Sequence, residues 1–296
     1  MHEVVVLSGK GGTGKTSLTA AFAHLAQNKV ICDLDVDAPD LHLIAAPSHV
    51  RSERFLSGHL AEIDPRVCTR CGVCEEVCAF GAIDRADGTF TVDPGHCEGC
   101  KACVVLCPAQ AIRFPERDCG VWHQSESRFG PMVHAQLDPG QENSGKLVTL
   151  LKAEARREAS RRGLDLILSD GAPGVGCPVI SSLSQATLAV LVTEPTPSGR
   201  HDLERVAELC RHFRIPAAVV LNKADLDEGQ ATAIETLCRT MDMPLLGRLP
   251  HDPEVVWAMV KGQAITENPD SAFGSEVRRI WSWITDLLFN LPARTS

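Results

Sequence analysis

The sequence predicts an α/β fold, a doubly wound and mostly parallel sheet interrupted by a small cysteine-rich insertion. An apolar run, Val4-Val5-Val6-Leu7, leads into Gly9-Lys10-Gly11-Gly12-Thr13-Gly14-Lys15-Thr16, and Leu18, Ala21, Phe22 and Leu25 then recur at helical spacing between Ser17 and Gln27. From Leu188 to Arg248 short apolar runs alternate with amphipathic segments, the signature of successive βα units. Between about Ile63 and Glu116 that alternation stops and cysteines arrive in two similar runs.

Composition narrows the function classes. A chain of 296 residues, 44% apolar, can bury a large core as one big domain or two. Its net charge of −9 disfavours nonspecific binding to DNA or anionic lipid, though not a local basic patch. No apolar run is long enough to span a bilayer, and the N-terminus enters a strand without a basic segment or cleavage site, so a cytoplasmic protein is expected. Thirteen cysteines in that compartment point to metal ligation rather than disulfides.

Taken in order, the first element is a strand, glycine turn and helix carrying the pattern G-x-x-x-x-G-K-[ST], filled by Gly9, Gly14, Lys15 and Thr16. Glycines let the backbone turn its amides, with the helix N-terminus behind them, toward phosphate oxygens. The residues expected at the nucleotide are Gly11, Gly12, Thr13, Gly14, Lys15, Thr16 and Ser17, with Lys15 reaching the β- and γ-phosphates and Thr16 ligating Mg²⁺. A second buried strand, Val30-Ile31-Cys32, delivers Asp33, Asp35, Asp37 and Asp40 to its C-terminal end, where ligands bind in open α/β sheets. Asp33, Asp37 and Asp40 read equally as caps or solvated loop carboxylates, and Cys32 as a small core residue.

In the insertion, Cys68-x₂-Cys71-x₂-Cys74-x₃-Cys78 is followed by Cys97-x₂-Cys100-x₂-Cys103-x₃-Cys107-Pro108, and the tails after each run repeat as well. This duplication resembles the bacterial two-cluster ferredoxins. It implies one [4Fe-4S] cluster on Cys68, Cys71, Cys74 and Cys107, and a second on Cys97, Cys100, Cys103 and Cys78. Zinc is the rival, but its sites use cysteine pairs separated by longer gaps. Ala79 stands where Pro108 stands in the second run, a departure that could alter the cluster served by Cys78. The expected organisation is a phosphate-loop domain of residues 1–62 and 117–296 with the ferredoxin-like domain, 63–116, inserted and its ends close together. The insert is mildly acidic, with eight acidic against five basic side chains, so nucleic acid is not expected as its partner.

Beyond it, Gly120–His123 and Met132–Leu137 read as strands joined by a loop containing Gly130-Pro131, and a loop from Pro139 to Lys146 precedes a helix ending near Arg162. Arg156, Arg157, Arg161 and Arg162 suit a helix C-terminus or an acidic partner. His123 and His134 read as lone structural histidines. Leu164–Leu168 forms a buried strand presenting Asp170, a Walker B carboxylate for Mg²⁺, to a flexible loop through Gly176. Cys177 either packs or binds metal at a dimer seam. Asn222-Lys223-Ala224-Asp225 sits at a strand end where a base would lie, and by itself suggests guanine. Ser275–Leu291 is an amphipathic helix with only Arg278 and Arg279 basic, which favours packing onto the sheet over a membrane surface.

Lys10, just after the first glycine, with Asp33-x-Asp35 and Asp170-Gly171-Ala172-Pro173, resembles the deviant phosphate loop and two switches of the MinD/ParA/Mrp ATPases. That resemblance spreads over nearly the whole chain. It implies an ATPase that is slow without a partner and dimeric with ATP, in which Lys10 reaches across to the partner's nucleotide and Asp35 orients the attacking water or holds a Mg²⁺-bound water. It also implies adenine, flanked by Asn222 and the Leu249-Pro250-His251-Asp252 loop. With the cysteine insert, the chain resembles the subgroup of MinD-type ATPases carrying a ferredoxin domain, relatives of which accompany metal-cofactor assembly, including the orange-protein complex. The implied role is a dimeric switch, with itself or a close paralogue, that delivers a metal or iron–sulfur cofactor to a carrier protein. An ATP-gated electron donor to a redox partner is the alternative, and positioning on membrane or DNA a weaker third.

Overall fold

The computed structural model describes residues 1–141 and 145–291, so Glu142, Asn143 and Ser144 of the expected loop lie outside it. Among the described residues two compact units are present: Met1–Glu53, Trp122–Leu137 and 145–291 form the first, Arg54–Val121 with Asp138–Gln141 the second. The expected insert, 63–116, falls within the second.

Alternation of side chains along strands decides the layering of the first unit. In β1 (His2–Ser8), Val4 and Val6 join one core with Leu18 and Phe22 of α1 (Lys15–Leu25). Val5 and Leu7 join the opposite core with Val179 and Leu183 of α6 (Cys177–Leu183) and Leu203 and Val206 of α7 (Pro197–His212). The same split recurs in β11 (Leu188–Thr193) and β12 (Ala217–Leu221). Both faces are therefore buried, as a parallel sheet requires.

Among the described residues nine strands of one sheet follow the order β13 (Leu245–Arg248), β12, β11, β1, β10 (Leu166–Pro173), β2 (Lys29–Asp33), β9 (Gly130–Leu137), β8 (Glu116–Ser127) and β3 (Ser48–His59). The pairs from β13 through β9 are parallel. β1 lies between β10 and β11, so its carboxyl end opens where connections diverge, the place for a ligand in such sheets.

Several expectations are corrected. β10 runs on through Asp170, Gly171 and Ala172 to Pro173, so only Gly174–Gly176 remain as loop. Gly171 reads as a breaker, but it is there because a Cβ would collide with the Leu7 side chain of the neighbouring strand. Gly130 and Pro131 begin β9 instead of joining two strands; Arg128 and Phe129 make the turn. β3, α2 (Leu41–Ala45) and α9 (Pro253–Val260) carry no clear periodicity. In β3 only Phe55 is buried, and α9 buries nothing fully.

The C-terminal helix, α10 (Ala272–Asn290), packs onto the sheet as expected. Val277, Ile280, Ile284 and Leu288 join the core of α1, and Trp281 stacks on Phe22 with centroids 5.3 Å apart. The four arginines of α5 (Lys146–Arg162) are paired within the chain, Arg156 with Glu3, Arg157 with Glu154, Arg161 with Glu158, and Arg162 with Glu158 and Glu126. Their charge is thus already met.

His123 and His134 are not lone. His49 of β3 stacks on His123 of β8 at 4.1 Å and on His134 of β9 at 5.4 Å, and Ser125 Oγ is hydrogen-bonded to both His49 and His134 at 3.0 Å. Burial, with His123 and His49 adding, lowers His134 from 6.5 to about 3. Below pH 6.5 the unfolded chain takes up a proton that folded His134 refuses, so stability falls as pH drops from 6.5 toward 3, by up to about 4–5 kcal/mol. Urea unfolding of the parent and of His134→Gln across that range should show the variant losing much less. Equal pH slopes would remove His134 as the cause.

In the second unit β4 (Glu62–Ile63) pairs antiparallel with β7 (Ile112–Arg113), and β5 (Ile83–Ala86) with β6 (Thr89–Val92). The offset separating Cys68 from Cys97 also relates Asp64 to Asp93, and each aspartate carbonyl accepts the amide of its cysteine. Two short helices, α3 (Val73–Glu76) and α4 (Ala102–Leu106), repeat by the same offset over a small core of Ala61, Cys74, Ile83, Phe90 and Ile112.

Candidate functional site

At the carboxyl end of β1 the chain turns through Gly12 and Gly14, both left-handed at φ +80° and +90°, and Gly14 caps α1. The first turn of α1 thereby presents its amides toward the loop. Lys15 Nζ lies 3.0 Å from Asp170 Oδ1 and 3.2 Å from Asp35 Oδ2. Thr16 Oγ1 donates to Asp170 Oδ2 at 2.7 Å and Thr19 Oγ1 to Asp170 Oδ1 at 2.8 Å. Asp33 is in register with Asp170 on the neighbouring strand, and its Oδ1 accepts the Asp35 amide.

One ammonium thus faces three carboxylates. Burial would depress Lys15, but Asp170 and Asp35 outweigh it and hold the pKa above the usual lysine value. Burial, with Asp170 adding, pushes Asp33 well above the carboxylate range, and burial raises Asp35 despite Lys15. Thr13 Oγ1 and Asp33 Oδ2 are buried without a partner, polar atoms of the kind a bound ligand satisfies. Thr19 escaped the sequence reading; one turn after Lys15 in an apolar helix, its hydroxyl was the available signal.

The remaining expected residues are placed as follows. Asn222 Nδ2 donates to Thr13 O at 2.8 Å and its Oδ1 accepts the Lys223 amide. Lys223 Nζ donates to Gly12 O at 2.8 Å. Asp225 Oδ1 accepts the His251 amide at 2.5 Å, and the Ala224 amide donates to Leu249 O, which ties the loop containing Pro250 to the Asn222 strand end. Ser17 Oγ donates to Met259 Sδ of α9. Lys10 Nζ sits on Glu194, Thr196 and Ser198 of its own chain. Cys177 is exposed at the start of α6 and Cys119 is buried, its thiol donating to Ser57 O.

The second unit holds two cavities lined mainly by apolar groups. One is lined by Cys68, Cys71, Cys74 and Cys107; the other by Cys97, Cys100, Cys103 and Cys78. Cys71 and Cys100 are exposed, and Cys74 is buried. The Ala82 amide donates to Cys78 Sγ and the Ala111 amide to Cys107 Sγ, both at 3.3 Å. The two turns match, with Gly81 and Gln110 both left-handed, so Ala79 in place of proline leaves the local geometry unchanged. Among the described residues no three His, Cys, Asp or Glu side chains converge to hold a metal ion.

Comparison with known proteins adds to this geometry. Residues 4–265 match the family described as the CobQ/CobB/MinD/ParA nucleotide binding domain. The chain is similar to uncharacterized protein MJ0578 of Methanocaldococcus jannaschii, 34% identical over 76% of this chain and 79% of that protein. It is also similar to the cytosolic Fe-S cluster assembly factor Nubp1 homolog of Drosophila grimshawi, 30% identical over 90% of this chain and 76% of that protein. Its fold resembles the septum site-determining protein MinD of Pyrococcus horikoshii, solved with Mg-ADP, at a TM-score of 0.59 and 17% identity, covering 97% of each chain.

Proposed function

This chain belongs to the CobQ/CobB/MinD/ParA nucleotide-binding family, and from that premise we propose that it is an ATP-driven dimeric switch carrying two [4Fe-4S] clusters that assembles or delivers a metal or iron–sulfur cofactor. The observation that carries this reading is the pair of four-cysteine cavities on the same chain as a phosphate loop. Each cavity draws three cysteines from one run and the fourth from the other, the crossed ligation of two-cluster proteins. Zinc sites use cysteine pairs separated by longer gaps, whereas two tight four-cysteine runs suit two clusters. Similarity to an Fe-S assembly factor supports delivery.

For the nucleotide, Gly11 to Ser17 supply the phosphate cradle, and Thr16, Asp35 and Asp170 would hold Mg²⁺, which neutralises phosphate charge when bound. Lys15 now serves those carboxylates as counter-charge and would turn to the β- and γ-phosphate oxygens. Asp170, held on both oxygens by Thr16 and Thr19, stays in position. Asp35 would orient the attacking water. Adenine is favoured over guanine because one Asp225 oxygen is already taken by the His251 amide, while Asn222 and Lys223 brace phosphate-loop carbonyls. Asn222 and Pro250 would flank the base. The dimer would form with a second copy or a close paralogue, in the cytoplasm, and act on a cofactor carrier.

Exposure of Cys71 and Cys100 favours one second reading, an ATP-gated electron donor, since it puts each cluster within reach of a docked redox partner. Membrane positioning is disfavoured because α10 already buries its apolar face. Anaerobic reconstitution, EPR and potentiometry without nucleotide, with ADP and with a non-hydrolysable ATP analogue, followed by addition of apo-acceptor, decide between them. About eight irons per chain and nucleotide-dependent appearance of iron–sulfur on the acceptor are expected. Potentials that shift with ATP while iron stays on the protein would instead support electron donation.

A further inference from the structure

Glu194 is the chain's own partner for Lys10, and we propose that this pair is a resting-state latch that must open before Lys10 can serve a nucleotide across a dimer. The proposal rests on the reading of Lys10 as the lysine that acts in trans. Lys10 Nζ lies 2.6 Å from Glu194 Oε1 and donates to Thr196 Oγ1 at 3.2 Å and Ser198 Oγ at 3.1 Å. Three oxygens meet an ammonium with three protons to give, so its donors are all used within the chain. Both partners are partly shielded, with side-chain exposures of 29% and 13%, so the pair is worth more than a solvent-exposed one.

The acceptor side is stiff. Glu194 is held from its other oxygen by Lys223 Nζ at 3.0 Å, and the two lysines keep its carboxyl below the usual range despite burial. Thr196 caps α7, its Oγ1 accepting the Gly199 amide at 2.9 Å, and prolines stand on either side at positions 195 and 197. On the lysine side the backbone is anchored where Ser8 Oγ donates to Lys10 O and where Gly9 packs closely on Asp202 of α7, which leaves the Lys10 side chain beyond Cα to move. Gly11 and Gly12 beyond it face open space. The side that can move is therefore Lys10. Swinging out breaks a charge-assisted contact that only phosphate oxygens of equal or greater charge replace, so the latch opposes pairing when ATP is absent.

The test measures the protein concentration for half-dimerisation by sedimentation, with and without a non-hydrolysable ATP analogue, together with nucleotide affinity of the monomer. Glu194→Gln keeps the shape and removes the charge. It should dimerise at about three- to tenfold lower concentration for each latch opened, and in a Lys10→Ala background it should have no effect. Ser198→Ala, which leaves Lys223 untouched, should shift the midpoint in the same direction by about twofold. If Lys10→Ala abolishes the dimer but Glu194→Gln and Ser198→Ala leave the midpoint unchanged or raise it, the latch is overturned and the trans lysine stands. If Lys10→Ala dimerises like the parent, the trans reading falls and takes the latch with it. A Glu194→Gln shift that persists without Lys10 would assign Glu194 a merely structural part through Lys223.

Discussion

Lys15→Ala is expected to lower ATP turnover by at least about a hundred- to a thousandfold, the loss typical of removing one preorganised donor aimed at charge that develops in a transition state. The structure adds a second consequence. Lys15 is the counter-charge for Asp35 and Asp170 in a buried setting, and its removal leaves those carboxylates without one. Asp35, already raised by burial, loses the charge that lowers it, so the variant loses stability relative to the parent as pH rises above the carboxylate range, by about 3 kcal/mol or more at neutral pH. Turnover with saturating Mg-ATP and chemical unfolding at pH 5 and pH 8 check both effects. Turnover within tenfold of the parent would remove Lys15 from the reaction, and a pH-independent stability loss would remove the counter-charge account.

The double variant Cys68→Ser, Cys107→Ser is expected to retain one cluster, about four irons per chain, because both residues line the same cavity. Cys68→Ser combined with Cys78→Ser should damage both cavities and leave almost none, since Cys78 lines the other. Ligation by each run within itself predicts the reverse, both clusters lost in the first double variant and one kept in the second. Iron and sulfide analysis with EPR after anaerobic reconstitution separates the two cases. Equal iron in both would refute crossed ligation.

Much of this was legible before folding. The phosphate loop is one contiguous stretch whose residue types are dictated by backbone turn and phosphate charge, and the cysteine runs are spaced by the requirement that neighbouring thiols face one cavity. βα alternation after Leu188 is equally local, and its elements lie within a few residues of their expected ends. Where the reading failed, local signals misled. Gly171 looks like a loop residue because what it accommodates, the Leu7 side chain, lies on another strand. β3 shows no alternation because almost none of it is buried.

Other features belong to residues far apart in the chain. Glu194 beside Lys10, Thr19 on Asp170, and the mutual contact of His49, His123 and His134 are brought together by strand order, which no short window encodes. The sequence by itself therefore determined the nucleotide-loop chemistry, the cysteine supply and the α/β alternation, since each depends on contacts or periods within a few turns of backbone. Only the tertiary structure decided which carboxylate holds which lysine and which histidines touch, because those depend on the register between strands that the chain visits at widely separated points.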